Sequence, residues 1–389
     1  MVVGIVCEYN PFHNGHKLQI DYAKQVLKAD QVVVAMSGDF TQRGEIACYD
    51  KYTRAHAALL CGVDIVFEIP TIFATSSARE FASAGIQLLA NTGVVDTILF
   101  GAETDDVELF KSSAKKIVEL EKSGALDAKI KEIMASGETY AFAHANALSE
   151  YIPVEIKSSP NNLLGLEYCR YIYENSLPLD IAIVKRQGND YNDTNLTGEI
   201  CSATAVRAQL SMGNDITAVP EKTINIYKKS TFVGQDDLSE MLHYKLLTES
   251  DYAKYLDCSS DLADRIKNLL KDYTNFTSFN FELKTKNINY SRISRVLCHI
   301  LLIITKEDFE KEKAEGYIRY LRMLGFSKNG SNLLSLIKEK ASVPIVTGVT
   351  DIVDFHDLFA SDIHRAAVTA MTSEVIPNEY NRKFDLVNI

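Results

Sequence analysis

Two histidines three residues apart, in Asn10-Pro11-Phe12-His13-Asn14-Gly15-His16-Lys17, are the residues of this chain best suited to chemistry. At the start of a helix, His13 and His16 would face one anion across a single turn and stabilise charge building on it. Gly15 between them lets the backbone approach a phosphate closely. The flanking sequence supplies the setting: Val2–Cys7 is an apolar run of the kind that forms a buried parallel strand, and Leu18–Leu27 carries helical apolar spacing. Strand, tight loop and helix together present unpaired backbone N–H groups and the positive end of a helix dipole to an anion. Two ordinary loop histidines around a turn glycine are the plain alternative, and the strand before and helix after weigh against it.

A second anion-binding element is legible in Ser202-Ala203-Thr204-Ala205-Val206-Arg207, where two hydroxyls and a guanidinium sit at a helix start. Ser202 as a simple N-cap and Arg207 as a surface ion pair is the competing view. Other candidates follow strands. Lys185-Arg186 would bring cations to the phosphates, Gly101 would leave room for an adenine or ribose, and Asn162 would either contact the ligand or cap a helix. The polar loop Ser37–Glu45 could hold the acceptor. Asp39, Glu45 and Glu68 are expected to pair with Arg43 or Arg54 rather than bind metal, and no metal-ligand pattern joins the remaining histidines. No Walker A, G-x-G-x-x-G or G-x-S-x-G string is present.

These residues need a scaffold, and the first half alternates strand and helix: strands at Gln31–Met36, Asp64–Glu68, Thr97–Phe100 and Asp180–Arg186, helices at Lys51–Cys61, Ser77–Thr92, Val107–Ser123 and Asn161–Asn175, with Val154–Ile156 as a possible strand edge. That repetition predicts an α/β fold, a Rossmann-like doubly wound parallel sheet with ligands beyond the carboxyl ends of its strands. Near residue 210 the pattern changes. Ser211–Asp215 and Val219-Pro220 look like a linker, and the remainder reads as mostly helical, including Ser291–Thr305 and Lys313–Leu324. Residues 1–210 are therefore expected to form an α/β part that carries the phosphate site and 211–389 a mostly α-helical part.

At 389 residues, 46% apolar and with a net charge of −11, the chain can bury a substantial core and is not coated in basic surface. Seven scattered cysteines without C-x-x-C spacing fit reduced thiols, and no apolar run is long enough to cross a bilayer, so a soluble cytoplasmic protein is expected. One stretch is locally basic: Lys284–Lys328 holds ten Lys/Arg against five acids. Arg292, Arg295, Arg319, Arg322 and Lys328 lie in it, with Tyr290, Tyr317, Tyr320 and Phe326 interleaved as possible stacking partners for unpaired bases. A solvated helix face with its tyrosines in the core explains the same pattern.

Taken together, the motifs resemble the nucleotidyltransferase superfamily marked by H-x-G-H and a later S-[ST]-T-x-[IV]-R, with Ala203 departing from the second. Within it the chain resembles the bacterial tRNA(Met) cytidine acetate ligases through Gly4–His16, Met36–Phe40, Gln42–Glu45, Phe100–Glu103, Pro160–Asn162, Asn289–Arg292 and Leu324–Phe326. Cys7 and Ile46 differ from the residues usual there. The resemblance implies acetylation of the wobble cytidine of elongator tRNA(Met) with ATP and acetate, through an acetyl-adenylate, with a Mg²⁺ ion on the phosphates. It also implies ATP contacts from Ile5, Val6, Cys7, Glu8, Tyr9, Asn10, Pro11, Phe12, His13, Asn14, Gly15, His16, Lys17 and Leu18, and from Gly101, Asn162 and Arg186. Ser202, Thr204 and Arg207 would complete the phosphate clamp. An adenylyltransferase for a phosphorylated small molecule, or an RNA-binding protein on a degenerate nucleotide fold, are the rival expectations.

Overall fold

The computed structural model describes residues 1–138, 140–186, 202–212, 218–286, 288–348, 356–373, 376, 379–381 and 384–387. Part of the expected linker, 213–217, and Cys201 lie outside them. Among the described residues eight strands form one sheet: β1 (Val2–Cys7), β2 (Gln31–Ser37), β3 (Ile65–Ile69), β4 (Thr97–Ala102), β5 (Asp180–Lys185), β6 (Leu321–Ser327), β7 (Ile345–Val346) and β8 (Asp385–Val387). Their order is β5-β4-β1-β2-β3-β6-β7, with β8 also on β6. The first five strands are mutually parallel, and β6 runs antiparallel to its neighbour β3, with β7 and β8 parallel to β6.

The central strands are nearly continuous apolar runs because both faces of the sheet are covered. Alternate side chains feed two cores. Val32, Val34 and Met36 join Ile20, Ala55 and Leu59 on one face, and Val33 and Ala35 join Phe81, Ile86 and Leu166 on the other. The helical half does not keep a core of its own: Leu242, Ile266, Phe279 and Val296 belong to the same apolar cluster as Phe67, Ile69 and Phe73.

Two expected elements are corrected. Val154–Lys157 is a short helix and not a strand edge. The helix expected over Lys313–Leu324 is instead the end of Lys306–Ala314 followed by strand β6. Gly316 and Tyr317 take φ of +92° and +68°, which stops the helix, and Leu321–Ser327 then pairs with β3.

Candidate active site

Strand order reverses at β1, which has β2 on one side and β4 on the other. The crevice beyond the carboxyl ends of such strands is where a doubly wound sheet binds ligands. A cleft opens there, lined by Val6, Cys7, Glu8, Tyr9, Asn10, His13, Gly15, His16 and Leu18 from the end of β1 and the loop and helix after it, by Gly101 near the end of β4 and Arg186 just after β5, and by Ser202, Thr204 and Arg207. Ile5, Pro11, Phe12, Asn14 and Lys17 do not line it. Ile5 and Phe12 are core residues beneath the loop, the Asn14 N–H donates to the Ala218 carbonyl at 3.0 Å, and Lys17 pairs with Asp21.

His13 is the N-cap of helix Asn14–Asp21, with extended backbone, and its Nδ1 accepts the Gly15 N–H at 3.1 Å. The His13 N–H in turn donates to Nδ1 of His16 at 3.2 Å, and the two rings lie 3.8 Å apart between centroids. With each Nδ1 occupied as an acceptor, the neutral rings carry their proton on Nε2. Burial, reinforced by the Arg186 and Arg207 cations, pushes His13 down to about 3. Burial, His13 and Arg186 hold His16 well below its ordinary value. Near neutrality the pair is therefore uncharged, and offers N–H donors without repelling the two arginines.

The cations are held in different ways. Arg207 donates to the Asn10 carbonyl at 2.8 Å and to the Thr204 hydroxyl at 3.4 Å, which ties the second motif to the first loop, while Ser202 caps its helix by accepting the Ala205 N–H at 3.1 Å. Arg186 is 42% exposed and pairs with Glu103 at 3.3 Å. Asn161 donates to the same carboxylate at 2.8 Å. A Cβ at Gly101 would stand 3.5 Å from Cγ of Arg186, so a side chain there would fill the space beside that arm.

Asn162 is a correction: it is wholly buried and does not line the cleft. Its Oδ1 accepts the Glu103 N–H at 2.8 Å and its Nδ2 donates to the Glu155 carbonyl at 2.7 Å, so it ties the loop after β4 to helix Pro160–Glu174. The adjacent Asn161 faces the cleft. Leu164 and Tyr168, three and seven residues on, line it from the same helix face, as Gln19 does three residues after His16. These three were missed, although helical spacing from Asn161 and His16 marks their positions.

The carboxylates do not pair as expected either. Lys51 bonds Glu68 at 2.9 Å and Glu379 at 3.0 Å, and Asp39 accepts the Lys51 N–H at 2.7 Å. Arg54 spends its guanidinium on main-chain oxygens of Glu8, Ser37, Gly38 and Tyr49, and so pins the loops after β1 and β2. Among the RNA candidates, Arg322 is 2% exposed on β6, bonded to Glu379 and Tyr52 at 3.2 Å, and is unavailable to a polyanion in this fold. Tyr320 is buried against Asp362. Arg319 pairs with Glu312 at 3.1 Å and Arg295 with Asp257 at 3.0 Å. Lys328 is exposed, but it follows β6, whose antiparallel course puts it at the end of the sheet opposite the cleft.

A nucleotide cleft with two histidines at a helix start defines a class, and residues 1–383 match the HIGH Nucleotidyl Transferase family. Similarity to curated proteins narrows that class. The tRNA(Met) cytidine acetate ligases of Clostridium kluyveri and Clostridium novyi are 35% identical over 366 residues and 36% over 363, covering 89% and 88% of this chain and 89% of each relative. The chain belongs to this ligase family. Crystal structures of Thermotoga maritima TmcAL, apo and bound with alpha-thio ATP, match all of both chains at 28% identity with TM-scores of 0.91 and 0.89.

Proposed function

We propose that the protein joins acetate to the N4 amine of the wobble cytidine of elongator tRNA(Met) at the expense of ATP, leaving AMP and pyrophosphate. The observation that carries this is the neutral His13–His16 pair facing a switch-point cleft with Arg186 and Arg207 at its sides. An acetate oxygen attacks the α-phosphorus of ATP, and the bond to pyrophosphate breaks. The Nε2–H groups of His13 and His16 and the N–H groups at the helix start stabilise charge on the phosphate oxygens. Arg207 and Arg186 hold the leaving pyrophosphate. The cytidine N4 then attacks the acetyl carbonyl, the bond to AMP breaks and the amine loses a proton. The N4 lone pair is delocalised into the ring, so positioning supplies much of the rate.

No three carboxylate, histidine or cysteine side chains gather as a metal cage among the described residues. A Mg²⁺ ion on the phosphates of ATP would neutralise part of their charge. Residues 1–210 supply the chemistry, and the mostly helical 211–389 grips the tRNA. The reaction belongs in the cytoplasm, where acetate, ATP and tRNA meet, and no described helix is long and apolar enough to cross a membrane.

The test incubates the protein with ATP, radiolabelled acetate, Mg²⁺ and elongator tRNA(Met), followed by nucleoside analysis. Labelled N4-acetylcytidine that vanishes in His16→Ala is the expected result. ATP consumption only with an added phosphorylated metabolite, and no labelled nucleoside, would replace this function with small-molecule adenylyl transfer.

A further inference from the structure

The loop after β2 reaches the cleft from the side of the helical half. Its backbone is pressed onto helix Tyr290–Leu302: Gly44 takes φ of +72°, and a Cβ there would lie 2.4 Å from the Arg295 N and Cα. Ser294 donates to the Gly44 carbonyl at 3.0 Å, and Gln235 accepts the Ile46 N–H at 2.9 Å. Thr41 closes the turn by donating its N–H to the Glu45 carbonyl at 2.9 Å. On the inner side the Gln42 N–H bonds Glu8 at 2.8 Å. The loop is thus a fixed bridge between the nucleotide cleft and the helical half.

Arg43 and Glu45 project from this bridge, half-buried, into the cleft lining. Glu45 lies within electrostatic reach both of Glu8 in the cleft and of Tyr290, the first residue of helix Tyr290–Leu302. Among the described residues no hydrogen bond or ion pair engages that carboxylate. Beside it Tyr290 packs on Phe281 with ring centroids 4.8 Å apart, and Phe281 is 59% exposed. A carboxylate and a guanidinium in the cleft lining, with the exposed Phe281 ring packed on Tyr290 one helical turn before Ser294, form a particular recognition chemistry. A cytosine presents an amine donor at N4 and acceptors at N3 and O2, whereas uracil presents an acceptor at position 4 and a donor at position 3. Carboxylates accept from the cytosine amine, and bases without a partner stack on exposed aromatic rings.

We propose that Glu45 and Arg43 form the subsite that selects the acceptor cytosine, with Glu45 accepting from N4 and Arg43 donating to N3 and O2, while Phe281 and Tyr290 stack on a neighbouring anticodon base. The subsite presupposes the acetate-ligase function above, and it adds which groups read the base. Glu45 is here a specificity residue: it would hold the amine in line with the acetyl group and reject uridine, whose O4 would face a negative charge.

The experiment measures binding of the full chain to two anticodon stem-loop RNAs that differ only in cytidine or uridine at the wobble position. Wild type should prefer cytidine by about tenfold or more, the worth of one good base contact. Glu45→Gln, whose amide can donate to uracil O4, should bring the ratio close to one. Phe281→Ala should weaken both RNAs by a similar factor and leave the ratio unchanged. A wild-type ratio in both Glu45→Gln and Glu45→Ala overturns the subsite, as does a wild type that acetylates tRNA yet binds the two RNAs equally. A wild type that acetylates no tRNA would count against the ligase function itself.

Discussion

Charged side chains converge in two regions of this protein, and their fates differ. At the seam between β3 and β6, Lys51, Glu68, Arg322 and Glu379 are all nearly inaccessible and pair with one another, with Tyr52 donating to Glu379 at 3.1 Å. At the cleft, Arg186 and Arg207 are held by one carboxylate and by a carbonyl and a hydroxyl, and the histidines between them are kept uncharged. The seam is closed on itself and holds the second half of the chain to the sheet. The cleft is left short of negative charge, which is what a triphosphate supplies. Charge at the seam serves stability, and charge at the cleft serves binding and catalysis.

The most severe way to break this contrast is Arg322→Ala. Removing one member of a buried ionic set strands its partners, at a cost of roughly 3–5 kcal/mol. Urea denaturation should show that loss, and the Arg322→Met/Glu379→Gln double variant should recover part of it because the charges leave together. Equal destabilisation in the two would mean that the seam is not a coupled set. At the cleft, His16→Ala should instead act on chemistry, lowering acetate-dependent ATP–pyrophosphate exchange by about 10²–10³-fold, the usual worth of one oxyanion donor. A decrease under threefold would remove His16 from the phosphate contacts.

The same contrast shows what the sequence can and cannot reveal. The histidine loop was legible because its chemistry is local: strand, glycine turn and helix lie within some twenty residues of chain, and backbone geometry alone aims them. The seam was not, since Lys51, Glu68, Arg322 and Glu379 meet only after β6 has paired with β3. Leu321 and Leu324 continue the apolar spacing of the helix before them, so β6 reads as helix unless Gly316 is taken as a stop. Arg322 consequently counted as basic surface when it is core. Asn161 and Asn162 show the limit at one residue: both types suit a ligand contact, and only the helix rotation decides that Asn162 points inward. The parallel doubly wound sheet followed from the alternation of elements, whereas the strand order and the antiparallel sixth strand did not.

Acid sharpens the comparison from the cleft side. His13 in the folded protein holds no proton until about pH 3, whereas in the unfolded chain it titrates near 6.5. Between those values the unfolded state binds more protons, so this histidine lowers stability as pH falls below 6.5. By pH 5 the loss is about 2 kcal/mol relative to neutrality. Asp39, beside the seam and pushed by burial up to about 6, has the opposite sign: its folded form keeps a proton that the unfolded chain has released, so it costs stability as pH rises above 3.8. His13→Asn preserves an N-cap acceptor and removes the titration. Its stability should therefore fall less than that of wild type between pH 7 and pH 5, as read by denaturant midpoints, and parallel curves would show that His13 is protonated in the folded state.

The smallest effect separates the basic residues that remain candidates for RNA. Arg292 lies on the helix that buttresses the Gly44 turn at the cleft mouth, whereas Lys328 lies at the far end of the sheet. Each phosphate contact adds roughly 0.7–0.9 to the slope of log affinity against log salt. Arg292→Ala should reduce the slope for tRNA binding by about that much, and Lys328→Ala should leave it unchanged and keep the stability of wild type to within about 0.5 kcal/mol. A slope that falls in Lys328→Ala and not in Arg292→Ala would put the tRNA along the opposite edge of the sheet. The stem would then approach from the end away from the cleft, and the anticodon could not enter past Tyr290 while the same module held it.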